Sequence, residues 1–324
     1  MEVIDIHTHM MGATWVDAIT SHKNYGSAEF NGKKMIALAG KPYIPIEDEM
    51  LDYEKRIRDM NDAGVDLAIV SLTTPSVYWA DKELAVKLSG SINDEMAEQQ
   101  RIYPDRLRFF ATLPWQFPDE AILELERALM AGAVGVFVGA NIEGGSLTDP
   151  LFETVWRRIN EKSLPVLVHP GPLPVAEQMN LSQYNLMQSV GFMCDTTISI
   201  SRMIFDGFFD KYQSLKMIVS HVGGTLPYIV GRLDACYEFM APCRENINQK
   251  PSEYLRMIYY DSLGFTTEAI KMCLDVGGSD HLMFGSDYPH LIGQMNLAKE
   301  RVNALPVKHH DPIFNKSARA IFSL

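Results

Sequence analysis

The chain has 324 residues, 47% of them hydrophobic and 22% charged, with 29 Lys and Arg against 41 Asp and Glu and a formal net charge of −12. These values exclude a disordered, collagen-like or disulfide-dense chain, and the length fits one large domain or two ordinary ones. A chain this acidic is a poor ligand for a nucleic-acid backbone or an anionic membrane, both of which need clustered Lys and Arg.

Strand-length apolar runs recur from the start of the chain. They are Val3–Ile6, Leu67–Val70, Leu107–Leu113, Val134–Val138, Pro165–Val168, Lys216–Val219, Met257–Tyr260 and Leu282–Phe284. Rich in β-branched and aromatic residues and mostly not alternating, they read as strands buried on both faces of a parallel sheet. Helical spacings fill the gaps. Met50, Tyr53, Ile57 and Met60 share a face, with Gly64 as a stop. Leu84, Leu88 and Ile92, then Ile122, Leu125 and Leu129, then Phe152, Val155 and Ile159 do the same. Asp195 is placed as the cap of a helix running to about Tyr212. Thr225 or Pro227 opens another that ends near Met240, and Thr266 caps one running to about Val276. Eight strands alternating with helices predict an α/β fold, a single-domain (β/α)₈ barrel over 1–324; the alternative is a doubly wound open sheet. Residues 10–46 lack periodicity and carry scattered Gly and Pro, so they read as a long insertion after the first strand, a lid or a wall of the site.

The four cysteines show no CxxC pair or framework spacing and read as reduced thiols. No apolar run approaches the roughly 18–20 residues of a membrane span, and no secretory leader precedes the first strand. A cytoplasmic protein is the expectation.

His7 and His9 are two apart on a strand, so both imidazoles can face one ion. Alone, such a pair is as readily two hydrogen-bonded strand-end histidines. Position changes the balance. His169 ends the fifth strand, His221 the sixth and Asp287 the eighth. In a barrel these ends converge on the rim where active sites lie. Imidazole and carboxylate without thiolate suit Zn²⁺, with Mn²⁺ or Fe²⁺ as alternatives. Such an ion lowers the pKa of its bound water to about 7, and an uncoordinated His221 beside it is placed to exchange protons.

With Asp5-Ile6-His7-Thr8-His9, Val168-His169-Pro170, Ser220-His221-Val222-Gly223-Gly224, Val230-Gly231-Arg232, Phe284-Gly285-Ser286-Asp287-Tyr288-Pro289 and Asn315-Lys316-Ser317-Ala318, the chain resembles the amidohydrolase superfamily. It is most similar to the branch of aminocarboxymuconate semialdehyde decarboxylase and related non-oxidative decarboxylases, over nearly its whole length. The resemblance implies one metal ion per chain, Zn²⁺ or Mn²⁺, on His7, His9, His169 and Asp287. His221 and Asp287 would then be the catalytic proton carriers, and Arg232 a contact for the substrate carboxylate, in some members across a dimer interface; a homodimer is expected. Val138-Gly139 stands where the binuclear members carry a bridging lysine. No arginine precedes Lys55, whereas the muconate enzyme has one in the insertion, so a different acid is implied. Tyr78 and Trp79 are placed to stack on a planar substrate, or simply to pack the rim. The Met-rich stretches (Met10-Met11, Met179, Met187, Met193) read as pocket lining or as core filler. His290, three residues after Asp287, reads as a solvated loop residue, with a place facing the site as the alternative.

The implied reaction is decarboxylation of a small unsaturated or aromatic carboxylic acid. Hydrolysis of a cyclic amide, ester or lactone, or hydration, is the alternative on the same site. A non-catalytic binding barrel is the reading of a different class.

Overall fold

The structure is a computed structural model and describes all 324 residues. Eight parallel strands form its central sheet: β1 (Ile4–His9), β2 (Leu67–Ser71), β3 (Leu107–Ala111), β4 (Gly135–Gly139), β5 (Pro165–His169), β6 (Lys216–Val219), β7 (Tyr259–Asp261) and β8 (Leu282–Met283). Their order follows the sequence. The ring closes because β1 meets the end of β8. Ile6 N donates to Phe284 O (2.9 Å), Asp287 N to His7 O (2.8 Å) and His9 N to Tyr288 O (2.8 Å). This is the (β/α)₈ barrel expected from the sequence, not the open sheet.

The sheet separates two apolar layers. Inside, Ile4, Ile6, Leu67, Ile69, Phe110, Phe137, Leu167, Ile218 and Met283 fill the barrel. The C-terminal helix (Ser317–Phe322) plugs the lower mouth, with Phe322 edge-on to Phe110 at 5.5 Å. Outside, residues such as Val70, Phe109, Val136, Val166 and Val219 meet the helices. Burial on both faces explains why the strands read as continuous apolar runs.

The expected helices form around the barrel. Tyr53–Ala63 starts on Asp52, whose carboxylate accepts from Lys55 N (2.9 Å), and stops at Gly64 with φ 61°. Thr266 caps Thr267–Gly277 through Ala269 N (3.2 Å). Leu226–Phe239 begins at Thr225. Asp195 is different. The helix runs Phe192–Phe205, so Asp195 sits inside its first turn, and its buried carboxylate reaches across to Gly171 N (2.8 Å) and Asn141 Nδ2 (3.0 Å). The chain bends at Gly207 before a short helix, Phe208–Lys211.

The insertion is also more ordered than its composition suggests. It holds a helix, Ala13–Thr20, and a three-stranded antiparallel sheet of Tyr25–Phe30, Lys33–Leu38 and Lys41–Pro45. Both hairpins turn on two residues with positive φ, Asn31-Gly32 (51°, 76°) and Ala39-Gly40 (49°, 75°). That backbone suits tight hairpins, and Asn-Gly was the local signal for the first. The strands escape a periodicity search because Tyr25–Phe30 has no buried residue at all. The insertion docks through Trp15, fully buried, whose Nε1 donates to Ser76 O (2.8 Å).

Candidate metal centre and substrate cavity

Above the apolar filling lies a layer of polar side chains. The β1–β2 register shifts between Asp5 and Thr8. Ile6 therefore stays in the barrel filling while His7 and His9, the next pair, cluster with His169 above it. Asp287 follows β8 in the left-handed region, at φ 57°. One ligand atom from each of His7, His9, His169 and Asp287 lies within 4.8 Å of the other three, and all four residues are buried.

The remaining atoms of these side chains are occupied. His7 Nδ1 faces Asp261 Oδ2 at 2.5 Å. His9 Nδ1 faces Ser71 Oγ at 3.1 Å and His169 Nδ1 faces Pro170 O at 2.9 Å. Those contacts select the tautomer that leaves each Nε2 lone pair free. His7 Nε2, His9 Nε2, His169 Nε2 and Asp287 Oδ1 are buried and have no hydrogen-bond partner. Orphaned buried polar atoms are costly, and four converging on one point are what a divalent ion satisfies. Charge agrees. Asp261 and Asp287 bring two carboxylates into the layer, which one divalent cation balances.

Electrostatics of the metal-free cluster follow from burial and these contacts. Without an ion, burial pulls the His7 pKa down, but the Asp261 carboxylate bonded to Nδ1 and the negative charge of Asp287 near Nε2 (3.4 Å) outweigh it and hold it at about 10. Burial pulls His9 down to about 3 and His169 well below its usual range. Burial opposes the charge on Asp287, yet the surrounding histidines hold its pKa well below the usual carboxylate range. Two imidazoles are thus kept neutral, the form that ligates.

His221 completes the layer without joining the four. Its Nε2 is 3.6 Å from Asp287 Oδ2, its Nδ1 faces Ser220 Oγ at 3.1 Å, and its ring lies nearly parallel to Phe265. His221 and Val222 both have positive φ (53° and 49°), which turns their backbone amides onto Asp261 at 2.8 and 2.9 Å. Asp261 therefore joins His7 to the His221 loop. The sequence reading missed it, although Asp261 ends β7 as Asp287 follows β8. Gly285 makes room for this contact: a Cβ there would meet His7 Cβ at 2.8 Å and Asp261 Cβ at 3.0 Å.

Arg56 is a second omission. It is fully buried with no carboxylate in salt-bridge range, and donates to His9 O (2.5 Å), Thr8 Oγ1 (2.6 Å) and Met10 Sδ (2.8 Å). Its spacing from Tyr53 and Met60, three and four residues, already places it on the helix's buried face, but its charge reads as a solvent-facing residue. His290 corrects an expectation. It is half-buried rather than solvated, 5.0 Å from the His9 ring, with Nε2 on Thr73 Oγ1 at 2.9 Å. The cis Tyr288-Pro289 bond lies in the turn between it and Asp287.

A cavity of about 520 Å³ opens beside the cluster. Phe137 joins the two, because it lines the cavity and stands 5.7 Å from the His169 ring and 6.4 Å from His9. Tyr78 and Trp79 are in the wall. The Tyr78 hydroxyl accepts from Gly139 N (3.0 Å), and the Trp79 ring contacts His22 and Tyr25 of the insertion. Arg232 is elsewhere: it is exposed on the Leu226–Phe239 helix, has no acidic partner within 4 Å, and does not line the cavity. Met10, Met11 and Met187 are core, whereas Met179 is 61% exposed. No helix is long and apolar enough to cross a membrane, and all four cysteines are free.

Comparison with known proteins agrees with this geometry. The sequence is 28% identical to the 2-amino-3-carboxymuconate-6-semialdehyde decarboxylase of Dictyostelium discoideum over 300 residues, 90% of this chain and 83% of the relative. It is 30% identical to the gamma-resorcylate decarboxylase of Polaromonas sp. over 263 residues, 77% of this chain and 81% of the relative. Among solved structures, a Metarhizium anisopliae IDCase in apo form shares the fold with a TM-score of 0.90 at 23% identity, covering 99% of this chain and 97% of that one. A Novosphingobium aromaticivorans 5-carboxyvanillate decarboxylase, solved with manganese and 4-hydroxy-3-methoxy-5-nitrobenzoic acid, matches at 25% identity and a TM-score of 0.87, over 100% and 96% of the two chains. The amidohydrolase family profile matches residues 4–324, and the chain belongs to that family.

Proposed function

We propose that this protein is a metal-dependent non-oxidative decarboxylase of a small aromatic or unsaturated carboxylic acid. The observation that carries this is the convergence of four unpartnered buried ligand atoms beside a cavity walled by aromatic rings, in a chain whose relatives are named as decarboxylases. When bound, the ion supplies Lewis-acid stabilisation of negative charge on the substrate oxygens. Zn²⁺ fits three imidazoles and a carboxylate, and the manganese of the 5-carboxyvanillate enzyme makes Mn²⁺ the other candidate.

The chain's own residues do the rest. Aromatic walls at Tyr78, Trp79 and Phe137 hold the planar part of the acid and exclude water. The His221–Asp287 pair delivers a proton to the carbon bearing the carboxylate. The electrons of the C–C bond then return to that carbon's framework as CO₂ leaves, so one proton is consumed for each CO₂ released. Arg232 is proposed to hold the scissile carboxylate from a second subunit, since within its own chain it stands apart from the cavity; this requires a homodimer. The insertion over 10–46 is proposed to act as the cavity's outer wall or lid. Four free cysteines and the absence of a membrane-spanning helix are in keeping with a cytoplasmic enzyme.

The test measures metal content and CO₂ release on the wild type and on the His7→Ala/His169→Ala variant. About one Zn or Mn per chain, lost in the variant, with CO₂ evolved from an aromatic acid only by the wild type, is the expected result. Ring opening of a cyclic amide or lactone with no CO₂ would instead establish hydrolysis.

A further inference from the structure

The cavity has an uneven distribution of charge. Of its 17 lining residues, Glu143 alone carries a formal charge, and none is Lys or Arg. At the inner end Gly139 is paired with His169 across β4 and β5. From there the chain runs through a short hairpin, Asn141–Ile142 with Gly145–Ser146, whose turn presents Glu143 at φ 49° at the outer end. At most about 14 Å of extended chain separates Gly139 from Glu143, so the turn stays within the same cavity as the residues beside the cluster.

The surroundings of Glu143 are polar and aromatic, not cationic. Tyr25 and Asn24, from the insertion, line the same mouth. The rings of His22, Tyr25 and Trp79 pack together with centroids 5.0 to 6.1 Å apart. Glu143 is exposed and lines the same cavity as Tyr25 and Trp79, and its negative charge adds to the burial that raises the Tyr25 phenol. Gly144, beside it, packs on Pro174 of the loop after β5. A lone carboxylate at an aromatic mouth accepts a hydrogen bond or a cation and repels a second acid. It is a repulsive element as well as an attractive one, which is how discrimination between similar ligands is built.

We propose that Glu143 is a specificity-determining residue that selects a monocarboxylic acid bearing a hydrogen-bond donor, a hydroxyl or an amino group, at the end remote from the carboxylate, and that excludes dicarboxylic acids. This rests on the decarboxylase reading for which carboxylate points inward, but the selection itself is a property of binding. The experiment therefore reads binding apart from turnover. Quenching of tryptophan fluorescence is titrated on the Mn-loaded full-length protein with 3-aminobenzoate, 3-hydroxybenzoate and isophthalate, for wild type, Glu143→Gln and Glu143→Lys. CO₂ release is measured in parallel.

The expected wild-type result is at least about tenfold tighter binding of the donor-bearing acids than of isophthalate, the scale of one close like-charge contact at a partly solvated site. Glu143→Gln should collapse that ratio about tenfold, and Glu143→Lys should reverse it. Equal binding of isophthalate in the wild type, a ratio unmoved in Glu143→Gln, or no binding of any of the three would overturn the proposal. Expected binding ratios with no CO₂ from any acid would uphold the selectivity and count against the decarboxylase reading alone.

Discussion

Asp261 sits under His7 with its Oδ2 2.5 Å from Nδ1, and its two oxygens also accept the amides of His221, Val222 and Leu263. It fixes the His7 tautomer and the loop that carries His221 at once. Partners of this kind are worth about 10–100-fold in metal affinity. Asp261→Asn should weaken metal binding by that range, read by competition with a chelator of known affinity, and should lower CO₂ release in proportion to metal lost. Normal metal affinity in the variant would mean that the His7–Asp261 contact does not set ligand orientation. Part of this arrangement was legible in the sequence. His7 and His9 fall on one strand, and His169 and Asp287 fall at strand ends that a barrel must bring together. Asp261, Arg56 and His290 were not legible, because each acts through a partner far away in sequence: 254 residues for Asp261 and His7, 46 to 48 for Arg56 and β1, and 217 for His290 and Thr73.

Between elements, Asp195 and Trp15 tie the site's walls to the barrel. Asp195 joins the Phe192–Phe205 helix to the loop after His169 through Gly171 N and to the β4 hairpin through Asn141. Burial raises its pKa to about 6, against hydrogen bonds from Gly171 and Asn141 that lower it. The unfolded value is about 3.9, so the folded state disfavours the charged form. The resulting destabilisation is fully present above pH 6 and relieved as pH falls toward 4. Denaturant melts from pH 7.5 to 5 should therefore show wild type gaining about 1.4 kcal/mol relative to Asp195→Asn; a pH-independent difference would argue that Asp195 is ionised in the fold as it is in water. Trp15 anchors the insertion by its fully buried ring and its bond to Ser76 O. Trp15→Ala should cost about 3–5 kcal/mol. It should also raise KM more than it lowers kcat, since Tyr25 and Asn24 of the insertion line the cavity while the metal ligands belong to the barrel. Urea unfolding and steady-state kinetics read the two effects.

On the scale of the whole molecule, the barrel couples metal binding to stability. The four candidate ligands come from β1, β5 and the segment after β8, so a bound ion would tie β5 to the β1–β8 seam that closes the ring. A ligand bound only by the folded state stabilises it by about 2.7 kcal/mol at a free concentration 100-fold above Kd. Removal of metal with a chelator should lower Tm, and adding back Zn²⁺ or Mn²⁺ should restore it in a concentration-dependent way. The His7→Ala/His169→Ala protein should show neither response. A Tm indifferent to metal in the wild type would mean that the cluster is preformed and its ion contributes nothing to closure.

The barrel is legible in the chain alone, because strands buried on both faces must be continuously apolar and helices must cover them, and both patterns are local. Strand-end positions in a barrel share one rim, so the spacing also brings His7, His9, His169, His221 and Asp287 together there, and the family resemblance picks the four candidate ligands among them. What surrounds that rim is set by contacts between loops. Asp195, read as a helix cap, became a cross-brace; Arg232, read as a substrate contact, stands on an exposed helix away from its own cavity; and Glu143, with no motif around it, became the one charge at the mouth. These roles depend on which loops fold over one another, and contacts between residues tens to hundreds of positions apart leave no period or spacing in the chain.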